Sequence, residues 1–403
     1  MAMIGKEKQG AGCSNEAFQT DDSYQSPPHQ APSSFNQVGT NFELAVEPPV
    51  RRRSKKKKWM IIGVIVAVCV LISLIALAVG LGVALGGKKS DHTQSAAGYG
   101  PAFQGNSAIL VFGGAAVNGD ASTTIQVLCP SNQTCTKSQI ISTKLLQGGY
   151  GGAGAVWGNR VVVKFDHRTA NSSTAVVQFY NYLTDVVELG PSLPFKLNLE
   201  GMAVMEEILY LCGGFIFDKF VFFEKACYTL SQNDTSHWQS NQMPFMPVER
   251  WGHAMVAVKN VLYAISGMTS DEGTSASMIY YRKTENVWKY AEPPSRYSYG
   301  AAAVEWKGSI LVCGGLDEAN NGSESCEFYN PGEDRWAPAP SLSQARAFFS
   351  MLVLNDVVYA VAGAVSGGAP DSSIEFFDGN QWYNGGLQLE TPFWLPVAAA
   401  VTL

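Results

Sequence analysis

The distribution of hydrophobic and polar residues divides the chain into three unlike regions. Residues 1–58 are polar, rich in Ser, Pro and Gln, and end in a basic run, whereas residues 59–85 carry no charge at all. From about residue 104, short apolar stretches alternate with polar turns, a pattern that predicts β-strands. A polar segment such as 1–58 cannot bury enough apolar surface to offset the entropy of folding, so we predict a disordered tail.

The apolar segment is long enough to cross a membrane, which takes about 20 residues. We predict a transmembrane signal-anchor helix over 59–87, because a cleaved signal peptide has a shorter apolar core nearer the N-terminus. Seven Lys and Arg residues lie in 51–58, against Lys88 and Lys89 on the other flank. The positive-inside rule therefore predicts a cytosolic tail and an extracellular or luminal C-terminus. The expected location of this type II protein is the plasma membrane or the Golgi. Taken alone, the basic run also resembles a nuclear-import patch.

The third region contains an internal repeat. A short apolar strand ends at positions 114, 165, 214, 267, 315 and 363, at intervals of 48 to 53 residues, and ends in glycine in all copies but the second. A strand of small residues precedes the later copies. An aromatic residue and a Trp follow, seven positions apart in Tyr281–Trp288 and Tyr329–Trp336. Four short strands in a unit of about 50 residues are typical of a propeller blade.

This pattern resembles the kelch-repeat family, in which a Gly pair after the second strand is followed by a Tyr and a Trp. The resemblance covers residues 104–403 and implies an all-β fold, namely a six-bladed kelch-type β-propeller. Residues 88–103 would then be a linker between the span and the propeller. The copy Val161–Phe165 lacks both the Gly pair and the Trp, so the second blade is the least regular. The segment 396–403 has the pattern of the first strand of a blade, but no second strand follows it. We expect this segment to complete the first blade.

Cysteines and glycosylation sequons agree with an extracellular or luminal propeller, and the net charge of this region bears on its partners. Six of the eight Cys lie beyond the span as three close pairs, which favours disulfides over the alternative of zinc binding. The predicted pairs are Cys129 with Cys135, Cys212 with Cys227, and Cys313 with Cys326. The sequons are Asn132, Asn171, Asn233 and Asn321. Residues 90–403 carry 17 Lys and Arg against 28 Asp and Glu, a net charge of −11 that disfavours nucleic acid as a partner.

The sequence contains no clear catalytic constellation. Gly149–Gly154 matches G-x-G-x-x-G but leads into a strand rather than a helix, which disfavours a dinucleotide site. The five His residues are scattered without metal-ligand spacing, so we expect no metal and no cofactor. A resemblance to copper radical oxidases, which share the kelch propeller, would require a free Cys and converging His residues. The span ends in Gly82–Gly86, a G-x-x-x-G that allows a weak homodimer.

The candidate binding site lies at the starts of the first strands, which meet at one mouth of the propeller channel. Arg residues suit anionic ligands, and aromatic residues supply stacking. The predicted ligand-binding residues are Arg250, Arg296 and Arg346, expected at equivalent positions of three consecutive blades, and His253 and Tyr299, each three positions after its Arg. Glu200 is expected at the position equivalent to His253 in blade three. Such arginines can equally hold loops by hydrogen bonds. We expect a membrane-displayed recognition module for a protein or carbohydrate. The alternative is a luminal enzyme that isomerises or epimerises sugars, with Glu200 and His253 as acid and base.

Overall fold

The structure is a computed structural model that describes ten stretches of the chain. They are residues 107–115, 121–129, 138–169, 172–193, 196–217, 221–240, 242–271, 273–296, 298–365 and 368–402. The predicted tail, span and linker lie outside these residues, as do Cys135, Asn132 and Asn171. Among the described residues, no helix combines the length and the hydrophobicity that a membrane crossing needs.

The first two blades occupy the N-terminal part of the described chain. Their strands are β1 (Ser107–Phe112), β2 (Thr124–Leu128), β3 (Gln139–Lys144), β4 (Tyr150–Trp157), β5 (Arg160–Thr169), β6 (Ser172–Asn181) and β7 (Val186–Leu189).

Blades three and four follow, and each is accompanied by short strands outside the four-stranded sheet. In chain order the strands are β8 (Leu197–Asn198), β9 (Gly201–Met205), β10 (Ile208–Cys212), β11 (Phe215–Phe217), β12 (Val221–Phe223), β13 (Cys227–Ser231), β14 (Asp234–Gln239), β15 (Arg250–Trp251), β16 (Ala254–Val258), β17 (Val261–Ile265), β18 (Met268–Thr269), β19 (Gly273–Thr274), β20 (Met278–Arg282) and β21 (Val287–Ala291).

Blades five and six are regular, and a last strand follows them. They contain β22 (Ala302–Trp306), β23 (Ser309–Cys313), β24 (Cys326–Asn330), β25 (Arg335–Ala339), β26 (Ser350–Leu354), β27 (Val357–Val361), β28 (Asp371–Phe377), β29 (Trp382–Phe393) and β30 (Val397–Thr402).

Six four-stranded antiparallel sheets form the blades, and the C-terminal strand closes the ring. β30 pairs with β1 over the whole of its length, from Ser107 opposite Thr402 to Phe112 opposite Val397. The first blade thus takes its inner strand from the C-terminal end of the sequence and its other three strands from the N-terminal end. The predicted blade number and the closing strand are both confirmed.

The core lies between the blades. The second strands of blades three to six are buried at every residue after the first, because a neighbouring blade covers each face. This is why these strands are continuous apolar runs rather than alternating ones. Six apolar clusters result, one at each blade interface, including the interface between blades six and one.

The repeated aromatic residues join neighbouring segments by hydrogen bonds. The Trp of the fourth strand donates its indole N–H to a carbonyl of the segment that leads into its blade, as Trp288 does to Pro244 and Trp382 to Pro340. Tyr329 donates to Asp334 at 2.7 Å, and Tyr180 donates to Asp185 at 3.0 Å in the irregular second blade. The Tyr position therefore persists where the Gly pair and the Trp do not.

The sheet register corrects the sequence alignment of two blades. In blade two, Lys164 lies opposite Ala153, so Asp166 rather than Phe165 occupies the position of the second glycine. In blade five, Ala302 lies opposite Cys313, as Ala254 lies opposite Ile265 in blade four. Ser298, not Arg296, is therefore the counterpart of Arg250, and Ala301, not Tyr299, is the counterpart of His253. The equivalence expected from sequence was wrong there by two residues.

Candidate functional site at the channel mouth

A ring of residues with positive φ marks the mouth of the central channel. Each blade contributes one residue, which lies two positions before the inner strand in five blades and at the equivalent register position within β4 in blade two. The six are Gly151, Leu199, Gly252, Gly300, Phe348 and Leu395, with φ between 51° and 68°. Four of them are joined by backbone hydrogen bonds, in which the amides of Gly252, Gly300 and Phe348 donate to Leu199, Gly252 and Gly300 at 2.7–2.8 Å. We call these six residues the rim.

A second ring lies directly after the rim in sequence and faces a cavity of about 130 Å³. Its members are Gly152, Glu200, His253, Ala301, Phe349 and Pro396, and all six line that cavity. Only Glu200 and His253 in this ring are ionisable. The two candidates proposed as acid and base therefore occupy equivalent positions in neighbouring blades, as expected from the sequence.

The arginines Arg250 and Arg346 are fully buried and are held within their own blades. Arg346 bonds both Glu375, at 2.9 Å, and Asp371, at 2.7 Å, and donates to the carbonyl of Ala362. Arg250 donates to the carbonyl of Ser266 and to the hydroxyl of Ser277. Both have a relative exposure of 0%. Such guanidinium groups hold the loop between the second and third strands, which does not favour their predicted role as ligand clamps.

Arg296 and Tyr299 also make contacts within blade five and its neighbours. Arg296 is partly exposed and donates to the hydroxyl of Ser323. Tyr299 is 2% exposed and donates its hydroxyl to Asn320. Burial, and secondarily the charge of Asp317, raises the pKa of Tyr299 to about 12, so the phenol stays protonated at neutral pH. Of the five predicted ligand residues, only His253 lines the cavity at the mouth.

A buried ionic cluster beside the cavity was not anticipated from the sequence. Lys164 of blade two lies 2.9 Å from Asp166 and 2.9 Å from Glu200, and all three side chains are at most 4% exposed. Lys164 also donates to the carbonyl of Leu197. In blades three to five the second glycine donates its backbone N–H to the equivalent carbonyl of the next blade, as Gly214 does to Arg250. The lysine side chain thus forms the link between blades two and three.

Burial and neighbouring charges shift the pKa values of this cluster. Burial raises the pKa of Glu200 to about 7, although Lys164 opposes the rise. For Lys164, burial alone would lower the pKa, but Glu200 and Asp166 together raise it above its usual value. The ammonium group therefore stays charged and pairs with the carboxylates.

His253 is 6% exposed, and neither of its ring nitrogens has a hydrogen-bond partner among the described residues. Burial, together with the nearby charge of Arg250, lowers its pKa to about 3. The imidazole is therefore neutral at physiological pH, with one nitrogen that donates and one that accepts. The backbone of Gly201 leaves room for this ring, because a Cβ there would lie 2.6 Å from Nε2 of His253.

A row of aromatic side chains runs across the same face from blade three to blade six. Phe215 contacts Trp251, Trp251 contacts Tyr299, and Tyr299 contacts Phe348, with ring centroids 5.4–5.8 Å apart in edge-on geometry. Phe223 stacks on Trp251 at 6.4 Å. Phe348 belongs to both the rim and this row, and Leu199 of the rim packs against the row, which thus joins the channel mouth to the surrounding loops.

The predicted disulfides in the described residues are confirmed. Cys212 bonds Cys227, and Cys313 bonds Cys326, each between directly opposed residues of the second and third strands. The sequon residues Asn233 and Asn321 are exposed, and the amide of Asn321 donates to Asp317 at 3.0 Å. Within the described part of the chain, no three His, Cys, Asp or Glu residues cluster in a way that would hold a metal.

Comparison with known proteins supports the assignment of a kelch repeat. The Kelch motif profile matches residues 298–343, which cover blade five. Kelch-like protein 41a of Danio rerio is 28% identical over 43% of this chain and 28% of its own length. Kelch-like protein 36 of Bos taurus is 26% identical over 46% of this chain and 30% of its own length. The chain therefore matches less than a third of the length of either relative.

The fold likeness extends further than the sequence likeness. The solved structure of YjhT superposes with a TM-score of 0.56 and covers 70% of this chain and 95% of its own, at 17% identity. At this identity the likeness concerns the fold alone.

Proposed function

Since the chain carries kelch repeats and its described part is a six-bladed propeller, we propose that it is a membrane-displayed module that recognises a protein. The binding surface is the face on which the channel mouth opens. The observation that carries the proposal is the aromatic row from Phe215 to Phe348, which joins four blades. Its central members Trp251 and Tyr299 are buried, so the row is a rigid support for the exposed apolar side chains of the loops. Aromatic residues are enriched in protein interfaces, because they bury a large area at a small entropic cost.

Two large apolar side chains on connecting segments of blades three and four are exposed. Phe222 on β12 is 56% exposed, and Phe245, in the segment between β14 and β15, is 62% exposed. Apolar side chains of this size on loops of a rigid scaffold are typical of binding sites. Because the propeller region carries a net negative charge, it favours a partner whose apolar contact is surrounded by basic residues.

Membrane display rests on the sequence. The uncharged segment 59–85 and the seven basic residues of 51–58 support a single span with the propeller on the extracellular or luminal side. The exposed Asn233 and Asn321 are compatible with glycosylation in that compartment. Treatment of the cellular protein with an N-glycosidase, before and after the cells are permeabilised, tests the topology. A protein whose mobility does not change would contradict it.

The recognition surface is tested with full-length protein carrying Phe222→Ala and Phe245→Ala together. The matched control is Tyr290→Ala, a residue that is equally exposed, at 62%, on the outer strand β21. Cross-linking on intact cells should recover a partner with the wild type and with the control but lose it at least tenfold with the double variant. Equal recovery by all three proteins would place the interface elsewhere.

A further inference from the structure

His253 has unsatisfied hydrogen-bonding capacity beside the channel. It lines the cavity at the mouth, it is 6% exposed, and none of the described residues hydrogen-bonds to Nδ1 or Nε2. A buried polar group without a partner destabilises the folded state, so a neutral imidazole in this place favours a ligand that satisfies it.

The rim is open above His253 and apolar elsewhere. Blade four contributes Gly252 and blade five contributes Gly300, whereas blades three, six and one contribute Leu199, Phe348 and Leu395. A Cβ added at Gly252 would lie 3.7 Å from Tyr299 and from the backbone of Gly300, which are ordinary contact distances, so the glycine keeps the opening wider than a larger residue would. The cavity therefore has polar groups on two neighbouring sides, at His253 and Glu200, and mostly apolar walls elsewhere.

The acidic groups beside the cavity already have a counter-charge. Lys164 pairs with both Asp166 and Glu200, and of these three residues only Glu200 lines the cavity. An ion that entered the cavity would lose its hydration and gain no unpaired counter-charge. A neutral group that both accepts and donates a hydrogen bond would satisfy His253 without that cost. Hydroxyl and carboxamide groups have this property.

We propose that the channel mouth binds one neutral side chain of the partner, a carboxamide or hydroxyl on a short apolar stem, which hydrogen-bonds to His253. The proposal rests on the protein-recognition function above and names the group that is recognised. The cavity of about 130 Å³ has room for about four water-sized groups, which suits a single side chain. The stem would contact Leu199, Phe348 and Leu395.

Three size-matched probes test this proposal on the purified full-length protein: propionamide, propionate and n-butylammonium. The chain has five His residues, so labelling at Cε1 of His gives a simple NMR spectrum. The variant His253→Phe assigns one signal by removing it. Propionamide should shift that signal with half-saturation on the order of 10 mM, as expected for so small a ligand. Propionate and n-butylammonium should bind at least tenfold more weakly.

The variant Gly252→Leu is the second arm. Leucine occupies the equivalent rim position in blades three and one with φ of 53° and 51°, so it can adopt the φ of 60° at Gly252 at a cost in backbone strain. It should close the opening, keep the His253 signal and abolish the propionamide shift. The proposal fails if propionamide causes no shift, if an ionic probe binds equally well, or if Gly252→Leu binds propionamide as tightly as the wild type. If the wild type captures its partner but does not bind propionamide, only this proposal is refuted. If it binds propionamide but captures no partner, only the protein-recognition function is refuted.

Discussion

Replacement of Lys164 by Met tests the ionic link between blades two and three. The lysine is fully buried and lies 2.9 Å from both Asp166 and Glu200, so the variant leaves two buried carboxylates without a cation. Removal of one partner from a buried ion pair destabilises a protein by about 3–5 kcal/mol. The carbonyl of Leu197 also loses its donor, which adds about 1–3 kcal/mol. We therefore expect a loss of roughly 4 kcal/mol or more at pH 8.

The loss should depend on pH in a defined direction. The pKa of Glu200 is already raised to about 7 from its usual 4.5, and removal of the cation raises it further. A carboxyl group whose folded pKa lies above its unfolded pKa favours the folded state below the unfolded value and loses that contribution as pH rises. The variant should therefore be closest to the wild type near pH 5 and furthest from it above pH 7.

The assay is urea unfolding of the purified full-length protein, followed by Trp fluorescence. Lys259→Met is the control, because this lysine is exposed in the turn between β16 and β17. The variant Lys164→Met/Asp166→Asn/Glu200→Gln should recover part of the stability, since it removes the uncompensated charge. A loss under about 1 kcal/mol at pH 8, or a loss that grows as pH falls, would refute the reasoning.

Three further predictions concern the acid sensitivity due to His253, a comparison of two Arg variants, and the loss of one disulfide. The pKa of His253 is lowered to about 3 from 6.5, so the wild type should lose stability as pH falls below 6.5, by about 2 kcal/mol at pH 5, and His253→Phe should not. Arg346→Met should destabilise by about 3–5 kcal/mol because it leaves Glu375 unpaired. Arg296→Met, which removes a bond to one hydroxyl, should cost about 1 kcal/mol. Loss of the disulfide in Cys313→Ser/Cys326→Ser should cost about 2–4 kcal/mol.

The same urea unfolding measures all three, and each has its own contradicting result. Equal acid sensitivity of wild type and His253→Phe would mean that this imidazole does not stay neutral. Equal losses in the two Arg variants would remove the distinction between the buried and the partly exposed guanidinium. An unchanged unfolding midpoint for the Cys variant would mean that the cross-strand bond adds nothing to the paired strands.

The sequence by itself determined the blade number, the closing strand and two disulfide pairs. These features depend on local patterns that repeat, because each blade must bury the same faces against its neighbours. A strand that is covered on both sides requires a continuous apolar run, and such runs recur at nearly constant intervals. The Cys pairs fell in equivalent places of blades three and five, so their partners followed from the repeat. The span 59–87 remains a prediction from hydrophobicity and charge.

Only the tertiary structure decided which contacts the Arg, Lys and Glu residues of the candidate site make. The strand register aligned Ser298 rather than Arg296 with Arg250, because pairing and not residue type sets equivalence between blades. Arg250 and Arg346 are buried within their blades and donate to carbonyl and hydroxyl oxygens. Arg346 also pairs with two carboxylates. Lys164 and Glu200 are 36 residues apart in the sequence and meet only when blades two and three pack. Local sequence patterns specify strands, but the chemistry of the channel mouth depends on contacts between blades, which no local pattern records.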